Sequence, residues 1–222
     1  MDKLVFVDEA ALQIASGGNT KMRAFIVISF VLFITVLTVA AQDKGEEQAI
    51  AAITQLGGKV EYDQSPQKHV IKVDLHGTAV TDGDLRCLLK FKELQMLDLR
   101  ITQIGDGGTQ YIGFLKNLKF LNLFRTKVSD AGLARLQNLK YLETLLIGRT
   151  RITDAGLEYV GKLSRLKKLS VFQTEVTDQG LKHLEKLRSL AVLLIGGSKV
   201  SDEGAKSIQK ALPNLSFKED IT

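Results

Sequence analysis

Apolar residues recur along most of the chain with two spacings that follow one another. In the segment 142–165, LETLLIGRTRITDAGLEYVGKLSR, they first alternate with other residues and then recur at three-residue steps. The alternation at Leu145 and Ile147 predicts a short strand, because successive strand side chains point to opposite faces. The three-residue steps from Leu157 to Leu163 predict a helix with one apolar stripe. We expect the strand and the helix to face the same core.

This strand-and-helix pattern returns every 24 residues. A threonine or serine follows each predicted strand, at Thr78, Thr102, Thr126, Thr150, Thr174 and Ser198. An aspartate precedes each predicted helix, at Asp82, Asp106, Asp130, Asp154, Asp178 and Asp202. A glycine follows two residues later in five units, at Gly108, Gly132, Gly156, Gly180 and Gly204. One strand and one helix cannot bury their apolar faces alone, so these columns predict a solenoid of stacked units.

The polar residues at the turns have predicted roles of their own. We expect the small hydroxyl side chain after each strand to satisfy backbone groups where the chain turns away. Thr153 and Asp154 carry oxygen acceptors just before a helical stripe, which is typical of a helix N-cap. The recurring aspartates are therefore interpreted as capping residues rather than as a catalytic or metal-binding array.

The strand half of each unit, LxxLxLxxT, resembles the signature of the leucine-rich-repeat family, with threonine where many members carry asparagine. The helical half, as in residues 152–157 (ITDAGL), is similar to the cysteine-containing and GALA-like subtypes of about 24 residues, without the cysteine. The resemblance covers roughly residues 69–217 and looks like the bacterial, exported type. It implies an α/β solenoid of about six repeats, with a short curved parallel sheet and helices on the convex side.

The two ends of the repeat array differ from its interior. Residues 46–56 have a helical pattern that Gly57 and Gly58 end, and residues 59–62 predict a short strand. We therefore interpret 42–68 as a linker and N-terminal cap, and 69–222 as the leucine-rich-repeat domain. Charged residues at 218–220 follow the last strand and are expected to discourage the addition of further strands.

A separate apolar segment precedes the repeats. Ala24 to Ala41 carries no charge and would form a helix of roughly 27 Å, close to the thickness of a bilayer core of about 30 Å. Small residues before Gln42 favour a cleaved signal peptide, whereas the length of the run favours an uncleaved transmembrane anchor. Residues 1–23 form an N-terminal tail, for which Met22 offers an alternative start of the chain. Basic residues before the segment place the body outside the cytoplasm, either membrane-anchored or secreted or periplasmic.

Charge and chemistry narrow the classes of function. The chain carries 30 Lys and Arg against 25 Asp and Glu, a net charge of +5. Basic side chains are expected on the helix side, at Lys116, Lys119, Arg135, Lys140, Lys162, Arg165, Lys182, Lys186 and Arg188. They provide a solubilising surface or a contact for an anionic polymer or lipid. Nucleic acid is disfavoured, because no stacking aromatic residues are expected among these lysines.

No arrangement of residues predicts catalysis. His69, His76 and His183 are the three histidines, and none stands at a metal-ligand spacing from the single cysteine, Cys87. Cys87 is expected on the outer part of a short helix, without a reactive role. We predict a non-enzyme that has no metal site and no cofactor.

The outward face of the sheet is the predicted binding surface. Its middle column runs Asp74, Asp98, Asn122, Leu146, Ser170 and Leu194, and the next runs His76, Arg100, Phe124, Gly148, Phe172 and Gly196. The candidate partner-binding residues are Met96, Arg100, Phe120, Phe124, Arg125, Leu146, Arg149 and Phe172. Aromatic residues, Met and Arg are enriched at protein interfaces. An alternative interpretation is that the aromatic side chains shield one another.

The sequence is compatible with three functions. The first is an exported or membrane-anchored module that binds an unknown protein or peptide through the sheet face. Six strands give this face only about 400 Å² in projection, which favours a contact of modest affinity. The second is a structural envelope protein held to anionic polymer or lipid by its basic helix side. The third, implied by the resemblance alone, is a cytoplasmic adaptor that recognises substrates for a modifying enzyme. The oligomeric state is not predicted.

Overall fold

A computed structural model describes residues 44–218 of the chain. The chain divides into two units, and the repeats lie in the second, which begins at residue 48. The predicted tail 1–23, the apolar segment 24–41 and the charges at 219–220 lie outside the described residues. Within residues 44–218, no helix is both long enough and apolar enough to cross a membrane.

Eight strands form one sheet in chain order. They are β1 (Lys59–Tyr62), β2 (Val70–Asp74), β3 (Met96–Asp98), β4 (Phe120–Asn122), β5 (Thr144–Leu146), β6 (Lys168–Ser170), β7 (Val192–Leu194) and β8 (Ser216–Lys218). β1 pairs with β2 in antiparallel orientation, and each later pair is parallel. Every pair in register between neighbouring strands from β2 to β8 joins residues 24 positions apart, as the sequence columns predict. The sheet is therefore parallel except for its N-terminal strand.

Short helices connect the strands. Residues 44–55 are helical and form α1. The helices that follow are α2 (Asp106–Ile112), α3 (Asp130–Leu136), α4 (Asp154–Val160), α5 (Asp178–Leu181) and α6 (Asp202–Ala211), with 3-10 helices at Asp84–Lys90 and Lys182–Leu184. This confirms an α/β fold in which helical segments alternate with the strands of a largely parallel sheet.

The core lies between the sheet and the helices. Its central column is fully buried and consists of Val73, Leu97, Leu121, Leu145, Leu169 and Leu193. The helical stripe buries Leu157, Val160 and Leu163 against the same cluster. Ala49 and Ile53 of α1 close the N-terminal end of that cluster. Gly57 follows the end of α1 and has a φ of +80°.

Aspartate carboxylates link each unit to the next. Asp106, Asp130, Asp154 and Asp178 each accept hydrogen bonds of 2.6–2.9 Å from the backbone N–H and the hydroxyl of Ser129, Thr153, Thr177 and Ser201 respectively. The prediction that the aspartates cap their own helices was wrong. Each aspartate is the first residue of its helix, and its side chain points to the start of the following one, where the preceding threonine or serine is the N-cap.

The hydroxyl after each strand also has a defined partner. Thr102, Thr126, Thr150, Thr174 and Ser198 each donate to the carbonyl three residues earlier. This confirms the predicted role of the column in satisfying backbone groups at the turn. The residue just before it adopts a left-handed backbone, with a φ of 51–58° at Ile101, Arg125, Arg149 and Gln173. This turn sets the position from which Arg125 and Arg149 extend.

Candidate binding surface

The outward face of the sheet carries most of the predicted partner-binding residues where the sequence places them. Met96, Phe120 and Thr144 pair side by side across β3, β4 and β5. Met96 is 37% exposed, whereas Phe120 is half-buried. Arg100, Arg125 and Arg149 are exposed in the turns that follow β3, β4 and β5. The surface therefore combines partly covered aromatic rings with exposed arginine side chains.

Two aromatic side chains meet at the end of this face where β4 and β6 lead into their turns. The ring centroids of Phe124 and Phe172 lie 6.5 Å apart with an interplanar angle of 38°. Residue 148 lies between their strands, and a Cβ added to Gly148 would lie 3.1 Å from the ring of Phe124 and 2.9 Å from the carbonyl oxygen of Phe172. Glycine at this position therefore lets side chains from two non-adjacent units come together. The sequence signal is the alternation Phe–Gly–Phe–Gly at 124, 148, 172 and 196.

One arginine extends this aromatic pair toward the rim of the face. The guanidinium of Arg149 lies 5.9 Å from the ring centroid of Phe124, within the range of a cation–π contact. Its Nε also donates to the side-chain carbonyl of Gln173. Gln173 is not one of the candidate partner-binding residues predicted from the sequence. Together Phe124, Gly148, Arg149, Phe172 and Gln173 form a cluster that we call the aromatic cluster.

A second group of side chains is held by hydrogen bonds next to β3 and β4. Asp98 accepts from the backbone N–H of Arg100 at 3.0 Å, and its other oxygen is 3.4 Å from the guanidinium Nε of the same residue. Asn122 donates to Asp98 at 3.3 Å and accepts from the N–H of Phe124 at 3.1 Å. The middle column therefore fixes the backbone from which Arg100 and Phe124 project. Sequence reasoning had placed these polar residues on the face without this role.

Leu146 requires a correction. It was expected to be available to a partner, but only 7% of its surface is exposed. It lies in the middle column with Asn122 and Ser170 paired on its two sides, and both of these are also buried. Its neighbours on β4 and β6 therefore leave little of its side chain in contact with solvent. Leu146 therefore supports the face from below.

His76 and Cys87 are not part of the aromatic cluster. His76 is exposed, and its Nδ1 lies 2.8 Å from Asp74 in the same turn. Cys87 lies in the first 3-10 helix and packs partly against the core instead of projecting from the outer side. Its burial, with a smaller contribution from Asp84, raises the pKa of the thiol. Within residues 44–218, no group of three His, Cys, Asp or Glu side chains is placed to hold a metal ion.

No protein-family model and no curated protein sequence matches the chain. Solved structures do match it. Internalin C2 of Listeria monocytogenes has a TM-score of 0.52 and 24% identity over 67% of this chain and 70% of its own. Another internalin of the same bacterium, inlF, has a TM-score of 0.51 and 19% identity over 78% of this chain and 54% of its own. A leucine-rich-repeat protein of Leptospira interrogans, of which this chain covers 38%, has a TM-score of 0.44 and 21% identity over 60% of this chain.

These likenesses concern the fold. At such identities the two internalins establish the architecture of a leucine-rich-repeat protein, in agreement with the resemblance found in the sequence. This chain spans about half the length of the second internalin. The function has therefore to be derived from the side chains of this chain.

Proposed function

We propose that the chain is a non-catalytic recognition module that binds a protein or peptide through the outward face of its sheet. The aromatic cluster is the observation that carries this proposal. Large aromatic side chains and arginine contribute most of the binding energy at protein interfaces, especially near the centre of the contact. In this chain Phe124 and Phe172 meet in the turns on either side of Gly148, and Arg149 stands beside them.

The contact between the rings of Phe124 and Phe172 is compatible with partner binding. The two rings cover each other in part, which keeps them compatible with water, and both remain half-buried outside the core. A partner that covers them would remove the remaining apolar surface from water at little cost in side-chain freedom, because the rings are already held in place. The side chains of Asp98 and Asn122 accept hydrogen bonds from the backbone of the turns next to this surface. These bonds hold the surface in one conformation and so also lower the entropy cost of binding.

The face is suited to a small contact. Strands lie about 4.8 Å apart and four exposed positions span about 13 Å, so β2 to β7 present roughly 400 Å² in projection. A standard protein interface covers about 800 Å² per partner. We therefore expect an extended peptide or a single protruding element of a protein as the partner, bound with modest affinity.

The proposal is tested by site-specific crosslinking in cells that express the full chain. A photo-reactive phenylalanine analogue replaces Phe172 on the sheet face or, as a matched control, Tyr159 on α4, which is also an aromatic and half-buried side chain. We expect a discrete crosslinked product from position 172 alone. The product should disappear when Arg149→Glu is added, while the thermal unfolding of that variant stays unchanged. Equal products from both positions would contradict binding through the sheet face.

We further propose that the body is exported, by way of residues 24–41. The supporting observation is the uncharged apolar run preceded by basic residues. Cell fractionation of the full chain with a C-terminal tag, followed by mass spectrometry of its N-terminus, tests this. A mature N-terminus at Gln42 indicates a free exported module, and an intact segment in the membrane fraction indicates an anchored one. A full-length cytoplasmic protein would contradict export and favour the adaptor function.

A further inference from the structure

The turns that lead from each helix into the next strand share one edge of the sheet. They comprise residues 89–95, 113–119, 137–143, 161–167 and 185–191, and we call them the basic edge. Ten of their side chains are Lys or Arg, all exposed, and three are Glu. At the opposite edge lie the segments that run from the end of each strand to the aspartate column, residues 75–82, 99–106, 123–130, 147–154, 171–178 and 195–202, and they carry six Lys or Arg against seven Asp or Glu. The positive charge of the domain is thus concentrated on one side.

The same edge exposes large apolar side chains. Phe114 is 67% exposed, the highest value among the large hydrophobic residues that stand exposed in the described part of the chain. Leu89 is 40% exposed and Tyr141 is 45% exposed. Leu89 and Phe114 line an open groove together with Phe91, Lys92, Leu115 and Lys116. That groove has an apolar floor and a basic rim, and no carboxylate lines it.

Cations and rings are paired along this edge. The ammonium of Lys116 lies 6.0 Å from the ring centroid of Phe114, and the guanidinium of Arg165 lies 4.7 Å from that of Tyr141. The sequence-based expectation that no aromatic residues stand among these lysines was therefore wrong. The edge carboxylates are already engaged in two of the three cases, because Glu143 pairs with Lys167 at 2.8 Å and Glu93 accepts from Asn117 at 3.3 Å.

We propose that the basic edge docks on the surface of an anionic phospholipid bilayer, with Phe114, Leu89 and Tyr141 in the interfacial layer and the lysines on lipid phosphates. A bilayer interface supplies apolar contact and negative charge at the same depth, which is the combination this edge presents. Aromatic side chains and snorkelling lysines are both favoured at that depth. This docking is independent of the sheet face and leaves the aromatic cluster free for a partner.

Other anionic partners fit the edge less well. An acidic peptide satisfies the lysines but leaves Phe114 and Leu89 in water unless it also brings apolar side chains. A single strand of nucleic acid stacks on aromatic rings, but the groove floor includes leucine side chains that offer no such stacking. Large exposed apolar patches on a protein surface mark interaction sites. Here the positive charge of the basic edge complements the negative charge of lipid phosphates, which favours a bilayer as the partner.

The test is made with the full chain. Its sequence contains no tryptophan, so one introduced tryptophan is the only source of tryptophan fluorescence. Phe114→Trp places a single fluorescent reporter on the basic edge, and Phe172→Trp places the matched reporter on the sheet face. Vesicles of brominated phosphatidylcholine mixed with phosphatidylglycerol are added to each variant. We expect a blue shift and bromine quenching of Trp at position 114, neither of them at position 172, and no response at either position to vesicles of phosphatidylcholine alone. Residues 24–41 are present in both variants, so any attachment that they supply is common to both.

Charge reversal provides the second measurement. In the Phe114→Trp background, Lys92→Glu with Lys116→Glu should abolish the quenching, since each basic side chain near an anionic surface contributes a factor of about fivefold in binding. Lys127→Glu with Arg151→Glu reverses two exposed charges at the opposite edge and should leave the quenching in place. Equal quenching at positions 114 and 172, or equal effects of the two double variants, would overturn the proposal. So would a spectral shift at position 114 with polyglutamate or a single-stranded oligonucleotide but not with vesicles.

Discussion

The carboxylate of Asp130 accepts two hydrogen bonds from Thr153, one from the backbone N–H at 2.9 Å and one from the hydroxyl at 2.7 Å. The two residues stand 23 positions apart and belong to successive units. Thr153 is the N-cap of α4, so the position at which this helix begins is determined by the unit before it. The two residues are in contact in space although they are far apart in the sequence. The same link recurs in other units of the array.

Replacing Gly132 with alanine should destabilise the fold by about 1–3 kcal/mol, the usual cost of overpacking. The added Cβ would lie 2.5 Å from a carboxylate oxygen of Asp106 and 2.8 Å from Val128. Chemical denaturation measures the effect. In an Asp106→Ala background the same substitution should cost less, because one of the two obstacles has gone. An equal cost in both backgrounds would show that the glycine serves another purpose.

Acid should weaken the link between Asp178 and Ser201. The hydrogen bond from the Ser201 hydroxyl, followed by that from its backbone N–H, holds the pKa of Asp178 below its ordinary value, against a small opposing effect of burial. A carboxyl whose pKa is lowered on folding stabilises the protein above the unfolded pKa of about 3.9 and loses that contribution as the pH falls through the folded pKa. The melting temperature should therefore fall on acidification below about pH 4.

The two variants that isolate this effect are Asp178→Asn and Ser201→Ala. Asp178→Asn removes the ionisable carboxylate, whereas Ser201→Ala removes the hydroxyl hydrogen bond and keeps the one from the backbone N–H. The decline of melting temperature in the same acidic range should therefore be shallowest in Asp178→Asn and intermediate in Ser201→Ala. Differential scanning calorimetry across that range provides the comparison. A decline as steep as that of the unmodified chain would assign the acid sensitivity to other carboxyl groups.

Ile101→Asn should stabilise the protein by about 1 kcal/mol, because a left-handed backbone costs an L-residue about 1–2 kcal/mol and asparagine tolerates it better. Ile101 has a φ of 58° and is 47% exposed, so its side chain contributes little to the core. Glycine occupies the equivalent turns at Gly77 and Gly197, with φ of 67° and 68°. Ile101→Val retains the branched Cβ and should give no gain. Thermal unfolding of the two variants side by side is the measurement.

Gly148→Ala should disrupt the aromatic cluster and destabilise the domain by about 1–3 kcal/mol. The new methyl group would meet the Phe172 carbonyl oxygen at 2.9 Å, and a backbone atom cannot move aside as a flexible side chain can. Phe124→Ala added to this variant should therefore recover only part of the loss. Urea unfolding of the single and double variants measures both effects. Full recovery would mean that the ring, and not the backbone, limits the size of residue 148.

The strands, their 24-residue register and the buried column through Leu145 could be predicted from the sequence, because they follow from periodicity alone. The role of the aspartates could not. An aspartate just before an apolar stripe can cap its own helix, or it can accept hydrogen bonds from the N-cap residue of the next unit. The distance between the units determines which of these contacts forms, and the sequence does not contain that distance. The burial of Leu146 likewise depends on its neighbours Asn122 and Ser170 in adjacent units. Phe114 shows the same limit, since nothing in its spacing distinguishes an exposed turn residue from a buried one.

The link between Asp130 and Thr153 has a consequence for how such arrays arise. Asp106, Asp130, Asp154 and Asp178 each meet a donor of the same kind at the same distance along the chain. An in-frame duplication or deletion of 24 residues would therefore bring together a carboxylate and a hydroxyl that already match. Genetic recombination can lengthen or shorten the array without designing a new junction, and each event widens or narrows the binding face by one strand.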